Sequence, residues 1–317
     1  MKRQTTILGT IAAIALGAIV AWAGSDGGQA AFPEDGWFNS EGDQTNVVLS
    51  APGLRLFVLL VIVAFVIQWI AFVPSYLKRT EHYYDLTGSI TYISVTLLAF
   101  FLADFRSLRS IVIAALILIW AGRLGSFLFA RVKRAGKDGR FDRIKHDPLA
   151  FLMFWTIQGL WVTFTAAAAF AAITSGKLEL VNDSDFQQPP FGIVSMIGLI
   201  VWIIGFTIEV ISDRQKTAFR ADPANAGRFI TEGLWAKSRH PNYFGEFTLW
   251  VGMAIIALPA LHGWQYITLL SPVFVFVLLN RISGVPALEK RADKKWGGEP
   301  DYEAYKANTP VFFPKLG

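Results

Sequence analysis

The chain has 317 residues, 53% of them hydrophobic and 14% aromatic, and a mean hydropathy of +0.43, which excludes an ordinary soluble domain. It has no cysteine and four histidines without metal-ligand spacing, so we expect no disulfide, thiolate site or metal. Its net charge is +5, and the basic residues are scattered through short loops. This distribution favours membrane lipids or an anionic cofactor as partners, and we expect no nucleic-acid partner.

Eight apolar stretches are candidates to cross about 30 Å of hydrocarbon as helices. They run from Thr6 to Ala23, Leu54 to Tyr76, Leu86 to Ala103, Ile111 to Ala130, Leu149 to Thr174, Phe191 to Ile211, Phe247 to Leu261 and Trp264 to Leu279. The last two are short and closely spaced, which predicts a helical hairpin. The predicted fold is all-α, a polytopic bundle of about seven or eight transmembrane helices.

Basic residues indicate the orientation of this bundle. With the N-terminus inside, the inner segments hold 24 of the 29 Lys and Arg residues. Because Lys and Arg mark cytoplasmic loops, we expect both termini in the cytoplasm.

Residues 1–50 are predicted to be an N-terminal anchor followed by an external segment from Gly24 to Ser50. Lys2-Arg3, the apolar run and Ala21-Trp22-Ala23 also fit a cleaved signal peptide, which leaves the orientation of the later helices unchanged. Residues 51–317 are predicted to form the membrane-embedded domain, whose cytoplasmic loops and C-terminal tail build a cofactor site.

Three segments are richer in polar residues than a connecting loop requires, and the first of them begins inside the sixth apolar stretch. At helical spacing one face carries Glu209, Asp213, Lys216 and Arg220. A solvated helix end with internal ion pairs would give the same pattern. Glu209 favours a functional role for this face, because an acid near the membrane boundary is costly unless it is paired or functional.

A second polar segment, residues 227–246, leads into the seventh apolar stretch. A break at His240-Pro241 puts a helix start after it, and helix N-terminal N–H groups can hold phosphate. The residues predicted at this start are Asn242, Tyr243 and Glu246. Arg228 and Arg239 can grip phosphates as bidentate forks, whereas the plainer interpretation is N-capping by Asn242 beside topogenic arginines. A third segment, the tail from Arg281 to Pro314, predicts an amphipathic helix that either anchors on the inner leaflet or joins the site.

These three segments together resemble the steroid 5-alpha-reductase C-terminal domain family, and more closely its bacterial branch of multi-pass proteins described by the domain of unknown function 1295. The resemblance covers about residues 84 to 313. Its motifs are Ser-Asp-Arg-Gln-Lys-x-x-Phe-Arg at 212–220, Ser-Arg-His-Pro-Asn-Tyr-Phe-Gly-Glu at 238–246 and Leu-Glu-Lys-Arg-Ala-Asp-Lys-Lys-Trp-Gly at 288–297.

The resemblance implies an NADPH-dependent oxidoreductase of lipid metabolism, of the 3-oxo-5-alpha-steroid 4-dehydrogenase type, in a bacterial inner (plasma) membrane. It would saturate an activated C=C bond of a lipophilic, steroid- or isoprenoid-like substrate. By motif position its cofactor contacts are Asp213, Arg220, Arg228, Asn242 and Glu246. Glu209 is also a predicted cofactor contact, at a position where the steroid enzymes carry Asn. Tyr243 is included among these contacts because it lies beside Asn242.

Asp85 and Tyr84 are the predicted catalytic residues. Hydride transfer to an enone builds negative charge on the carbonyl oxygen, which a carboxylic acid or a phenol in a dry cavity stabilises. Asp85 begins the third apolar stretch and, by the resemblance, matches the catalytic Glu of the steroid enzymes. The alternative role for Asp85 is helix N-capping.

Two other functions compete with the reductase. Isoprenylcysteine and phospholipid methyltransferases share the Arg-His-Pro-x-Tyr-x-Gly pattern and would use S-adenosylmethionine. A non-enzymatic membrane protein is the third possibility, although the chain lacks broken mid-membrane helices.

Overall fold

The computed structural model describes residues 3–25, 56–103, 106–136, 138–175 and 191–315. Within these ranges the regular structure is helical and contains no strand, which confirms the predicted all-α class. The α-helices there are α1 Arg3–Gly24, α2 Leu56–Leu77, α3 Tyr84–Leu102, α4 Leu108–Ala135, α5 Pro148–Thr165, α6 Ala167–Thr174, α7 Ile193–Ala221, α8 Pro241–Ala257, α9 Ser271–Val277, α10 Gly284–Trp296 and α11 Pro300–Asn308.

Eight helical stretches in the described ranges are long and apolar enough to cross a membrane, as predicted. They comprise α1 to α5, α7, a run from Pro241 to Ala260 and a run from Gly263 to Trp296. A helix satisfies its backbone N–H and C=O groups internally, which hydrocarbon requires of any spanning segment. The chain is therefore a multi-pass membrane protein.

Two helices continue beyond their apolar stretches, as the polar segments next to them predicted. α7 extends past Ile211 to Ala221 and so includes Arg220, and α8 begins at Pro241, just before Asn242. Proline is tolerated there because the first N–H groups of a helix have no internal acceptor. The predicted helix from Leu149 to Thr174 is interrupted at Ala166, although the Phe170 N–H still donates to the Ala166 carbonyl at 2.8 Å.

Two predictions on the N-terminal region fall largely outside the described residues. The external segment from Gly24 to Ser50 is described only at Gly24 and Ser25. The predicted domain boundary between residues 50 and 51 also lies outside the described ranges, so both stay predictions.

The chain divides into two compact units, the first formed by Met1–Gly192 and Ala257–Leu269 and the second by Ile193–Ile256 and Leu270–Gly317. In the first unit, helices within the membrane are joined by polar contacts. Gln68 Nε2 of α2 donates to Thr91 Oγ1 of α3 at 2.7 Å, and Trp69 Nε1 donates to Thr156 Oγ1 of α5 at 3.1 Å. Such bonds connect helices where water cannot serve as a partner.

In the second unit, glycines let α7 and α8 pack with their backbones in contact. A Cβ atom on Gly205 would clash with the Leu249 backbone, and one on Gly252 would clash with the Trp202 backbone. Further along the same antiparallel pair, a Cβ atom on Gly245 would lie 2.5 Å from the Glu209 nitrogen. Small residues permit this close approach, which fixes the position of the polar end of α7 along the helix axis relative to the start of α8.

Candidate functional site

Three buried carboxylates mark the polar ends of α7 and α8 in the second unit. Glu209 and Asp213 are 2% and 5% exposed, and Glu246 is 8% exposed. Glu209 lies directly opposite Gly245, so Glu246 is at the same level, and Asp213 is one turn further along α7. Each of the three has a partner within the chain, as buried charges require. The structure thus brings these three predicted cofactor residues to one end of one helix pair.

The start of α8 carries two more of the predicted residues. Asn242 and Tyr243 lie in its first turn and are half-buried, while the His240 carbonyl accepts from the Tyr243 N–H at 3.1 Å. The Tyr243 ring stacks on the His240 ring with centroids 5.8 Å apart. The helix N-terminus and the Asn242 amide together offer hydrogen-bond donors beside the carboxylates.

Arg220 and Arg228 are the exposed cations of the predicted set. Arg220 lies in the last turn of α7, and Arg228 lies in the loop that follows. This loop is held by its neighbours, because Trp296 Nε1 donates to the Gly227 carbonyl at 2.6 Å and the Phe229 ring packs against that of Tyr302. The Arg228 guanidinium forms no hydrogen bond or ion pair with any described residue, so it is available to an anion.

An interaction that the sequence did not predict connects the tail to the Arg239-His240-Pro241 motif. Glu289 of α10 lies 2.6 Å from Arg239 Nη1 and 2.7 Å from His240 Nε2. Burial lowers the pKa of His240, and the hydrogen bond to Glu289 offsets this only in part. Glu289 was visible in the tail motif, but its partners are 49 and 50 residues away in sequence, and no local spacing indicates such a pairing.

The tail also meets the chain on the other side of this motif. The Tyr305 hydroxyl donates to the Trp235 carbonyl at 2.7 Å, and the Arg239 N–H donates to the Pro310 carbonyl at 2.9 Å. Trp235 is 3% exposed, and its Nε1 donates to the Ser212 carbonyl of α7 at 3.0 Å. Within the second unit the tail is therefore part of the folded structure around the predicted cofactor residues.

The predicted catalytic residues lie in the first unit, at the start of α3. Asp85 accepts from Arg140 at 3.1 Å and from Arg131 at 3.5 Å, and its side chain is 12% exposed. The N-cap of α3 is Tyr83, so the alternative role of Asp85 as the helix cap is wrong. The Tyr84 hydroxyl donates to the Phe154 carbonyl at 2.8 Å, and its ring packs between those of Phe141 and Trp155.

Glu81, which no motif in the sequence indicated, belongs to the same charged cluster. It accepts from Lys145 Nζ at 2.7 Å and from the Asp138 N–H at 3.0 Å, and its side chain is 4% exposed. Burial by itself would raise the pKa of Glu81, but these hydrogen bonds outweigh it and the net pKa is lowered. Likewise, partial desolvation would lower the pKa of Arg140, but Asp85 and Asp138 outweigh it and the net pKa is raised. A single acid in a short loop carries no sequence signal for such burial.

Comparison with known proteins gives a family and three distant relatives. The family model described as "Protein of unknown function (DUF1295)" matches residues 71–309. An uncharacterized protein of Schizosaccharomyces pombe is 26% identical over 243 residues, 67% of this chain and 65% of that protein. A probable O-methyltransferase of Ustilaginoidea virens is 30% identical over 99 residues, 31% of this chain and 32% of that protein. A Delta(14)-sterol reductase of Methylotuvimicrobium alcaliphilum is 26% identical over 185 residues, 53% of this chain and 38% of that protein.

The chain thus spans less than two thirds of the length of each of these curated relatives. No solved structure gives a significant match.

Proposed function

The chain belongs to the DUF1295 family, and we propose that it is a membrane-embedded, NADPH-dependent reductase that saturates an activated C=C bond of a lipophilic, steroid- or isoprenoid-like molecule. The observation that carries the proposal is the convergence of Glu209, Asp213 and Glu246 with the N-terminus of α8. Similarity to a Delta(14)-sterol reductase supports the same class of reaction.

The residues at this helix end fit a nicotinamide dinucleotide by their chemistry. The Arg228 guanidinium has no partner among the described residues, and Arg220 lies nearby in sequence on the last turn of α7, so both are proposed to bind phosphates. Asn242 and Glu246 carry the amide and carboxylate groups that hydrogen-bond a carboxamide or a ribose. Tyr243 offers a ring and a phenol beside them. When bound, the reduced nicotinamide supplies the hydride.

The proton donor is proposed from the resemblance. Asp85, with Tyr84 beside it, is the candidate that stabilises negative charge on the substrate oxygen and returns a proton. The contacts from Arg131 and Arg140 hold its carboxylate in one orientation, as in a structural ion pair, and the donor role requires that Asp85 take up a proton when substrate is bound.

Orientation in the membrane is proposed from the charge distribution. Both termini and the inner loops would face the cytoplasm of a bacterial cell, where nicotinamide cofactors are found, and the lipophilic substrate and membrane lipids would be the partners. A reporter fused after Lys145 is expected to score as cytoplasmic. A periplasmic signal from that fusion would contradict this orientation.

Arg228→Ala tests the cofactor site. Charge-assisted hydrogen bonds contribute about 1.5–3 kcal/mol, so loss of the guanidinium should weaken NADPH binding by roughly ten- to a hundredfold. The binding constant is measured by NADPH fluorescence on detergent-purified protein. Arg134→Ala removes an exposed arginine of the first unit and should leave the affinity unchanged. Equal affinity in the wild type, Arg228→Ala and Asn242→Ala would remove this site from consideration.

An S-adenosylmethionine-dependent methyltransferase of the isoprenylcysteine or phospholipid type is the second candidate. The contact of Arg239 and His240 with Glu289 supports this candidate, because it connects the Arg-His-Pro motif to an acidic residue of the tail. Similarity to a probable O-methyltransferase supports this candidate, but that match covers a shorter part of the chain than the match to the sterol reductase. Binding of S-adenosylmethionine, with no binding of NADPH, would favour this candidate.

A further inference from the structure

The loop that carries Arg228 is fixed against the end of α10. The Arg228 N–H donates to the Asn225 carbonyl at 3.0 Å, and Gly227, with a φ of 82°, turns the chain through the left-handed region that favours glycine. The Gly227 carbonyl accepts from Trp296 Nε1 at 2.6 Å. Because these bonds hold the backbone, the exposed Arg228 side chain starts from a fixed position.

Lys295, in the last turn of α10, is a second cation at the same indole. Its Nζ lies 4.4 Å from the centre of the Trp296 ring, whose Nε1 bonds the residue before Arg228. Lys295 is exposed and forms no ion pair with any described residue. The acid of this turn, Asp293, is already engaged, because it accepts from Lys306 Nζ at 2.7 Å. Two cations without an ion pair therefore lie next to one tryptophan.

An aromatic cluster connects this tryptophan to the polar end of α7. Phe229 packs against Trp296 and against Tyr305, with ring centroids 5.6 Å apart in both pairs. The Tyr305 hydroxyl bonds the Trp235 carbonyl at 2.7 Å, and Trp235 Nε1 donates to the Ser212 carbonyl of α7 at 3.0 Å. The two cations thus belong to the same packed structure as the predicted cofactor residues of α7.

A guanidinium and an ammonium group together suit a terminal phosphate. The guanidinium binds two phosphate oxygens as a fork, and the ammonium adds a compact positive charge. A phosphate monoester carries about two negative charges at neutral pH, more than each phosphorus of a pyrophosphate bridge. The 2′-phosphate of NADPH is a monoester, and it is the group that NADH lacks.

We propose that Arg228 and Lys295 bind the 2′-phosphate of NADPH and so set a preference for NADPH over NADH, an assignment that rests on the proposed function. Trp296 positions both cations, because its indole N–H fixes the backbone before Arg228 and its ring face holds the Lys295 ammonium. Arg220, in the last turn of α7, is left as the candidate for the pyrophosphate bridge.

The binding constants of NADPH and NADH, measured by fluorescence on detergent-purified protein, test the assignment. Lys295→Met removes an exposed charge-assisted contact, so NADPH binding should weaken about three- to tenfold while NADH binding stays within about twofold. Arg228→Ala should weaken NADPH binding by roughly ten- to a hundredfold, again with little effect on NADH. Lys295→Arg keeps the charge and should retain most of the preference for NADPH.

Lys294→Met is the matched control, because Lys294 is an exposed lysine of the same turn outside the contact with Trp296. It should leave both constants unchanged. Equal losses of NADPH affinity in Lys294→Met and Lys295→Met would indicate general surface attraction and overturn the assignment. An unchanged ratio of NADPH to NADH affinity in Lys295→Met and Arg228→Ala would also overturn it, and either result leaves the reductase proposal standing. If neither dinucleotide binds the wild type, the reductase proposal fails and the assignment fails with it.

Discussion

The charged cluster around Glu81 in the first unit and the Phe219 cleft of the second unit, whose lining includes Phe219, Asp222 and Glu232, hold their acids in different ways. In the first unit, Glu81 and Asp85 each lie within 3.5 Å of a cation, from Lys145, Arg131 or Arg140. In the Phe219 cleft, Asp222 accepts from the Ala224 N–H, and the described lining residues include no basic side chain. A compensated cluster is complete in itself, whereas an acidic cleft without cations has acceptors left for a ligand.

Lys145→Met breaks the first arrangement and should give the largest effect. The Glu81 carboxylate would stay buried without its cation, which typically costs about 3–5 kcal/mol of stability. Thermal or denaturant unfolding in detergent measures the loss. The double variant Glu81→Gln/Lys145→Met removes the stranded charge and should recover most of it. A Lys145→Met protein as stable as the wild type would show that this cluster is not compensated as described.

Asp85→Asn asks whether the same cluster also contributes to catalysis. If Asp85 stabilises charge that forms only in the transition state, turnover should fall about 100- to 1000-fold while NADPH affinity is kept. Single-turnover NADPH oxidation and the melting temperature are measured together on Asp85→Asn and Asp85→Ala. Normal turnover with lowered melting temperatures would assign Asp85 to structure and move the search for the donor to Tyr84, Tyr83 or Glu209.

His240 gives a smaller, pH-dependent effect in the second unit. Burial lowers its folded pKa below the ordinary value of about 6.5, so the unfolded chain binds the proton more readily. Stability contributed by the neutral ring is present above about pH 6.5 and is lost as the pH falls below that value. The melting temperature should drop by a few degrees between about pH 7.5 and 5.5. His240→Gln should flatten that part of the profile, and an equally steep profile in the variant would assign the dependence to another group.

The sequence predicted the spans well because their signal is local. A run of about 20 apolar residues predicts a membrane helix without knowledge of its neighbours, and all eight predicted runs correspond to helical stretches. The cofactor residues came from motifs, and the α7–α8 contact through Gly205 and Gly245 explains why two distant motifs meet. Their roles as ligands stay predictions.

What the sequence could not predict depends on distant contacts. Glu289 contacts His240 only because the tail folds back on the second unit, and Glu81 is buried only because the loop around Asp138 covers it. The interruption of the helix at Ala166 could not be predicted, because no glycine or proline lies at that position. The Phe219 cleft requires the φ of Gly233 and the bond from Leu234 to Gln215, neither of which shows as a motif.

Equilibrium binding of NADPH to the purified wild-type protein, measured by competition against NADH and S-adenosylmethionine, tests the central claim most directly. The reductase proposal predicts saturable NADPH binding that excess S-adenosylmethionine does not displace and that Arg228→Ala weakens by roughly ten- to a hundredfold. Saturable S-adenosylmethionine binding, with no NADPH binding at any concentration, would contradict it.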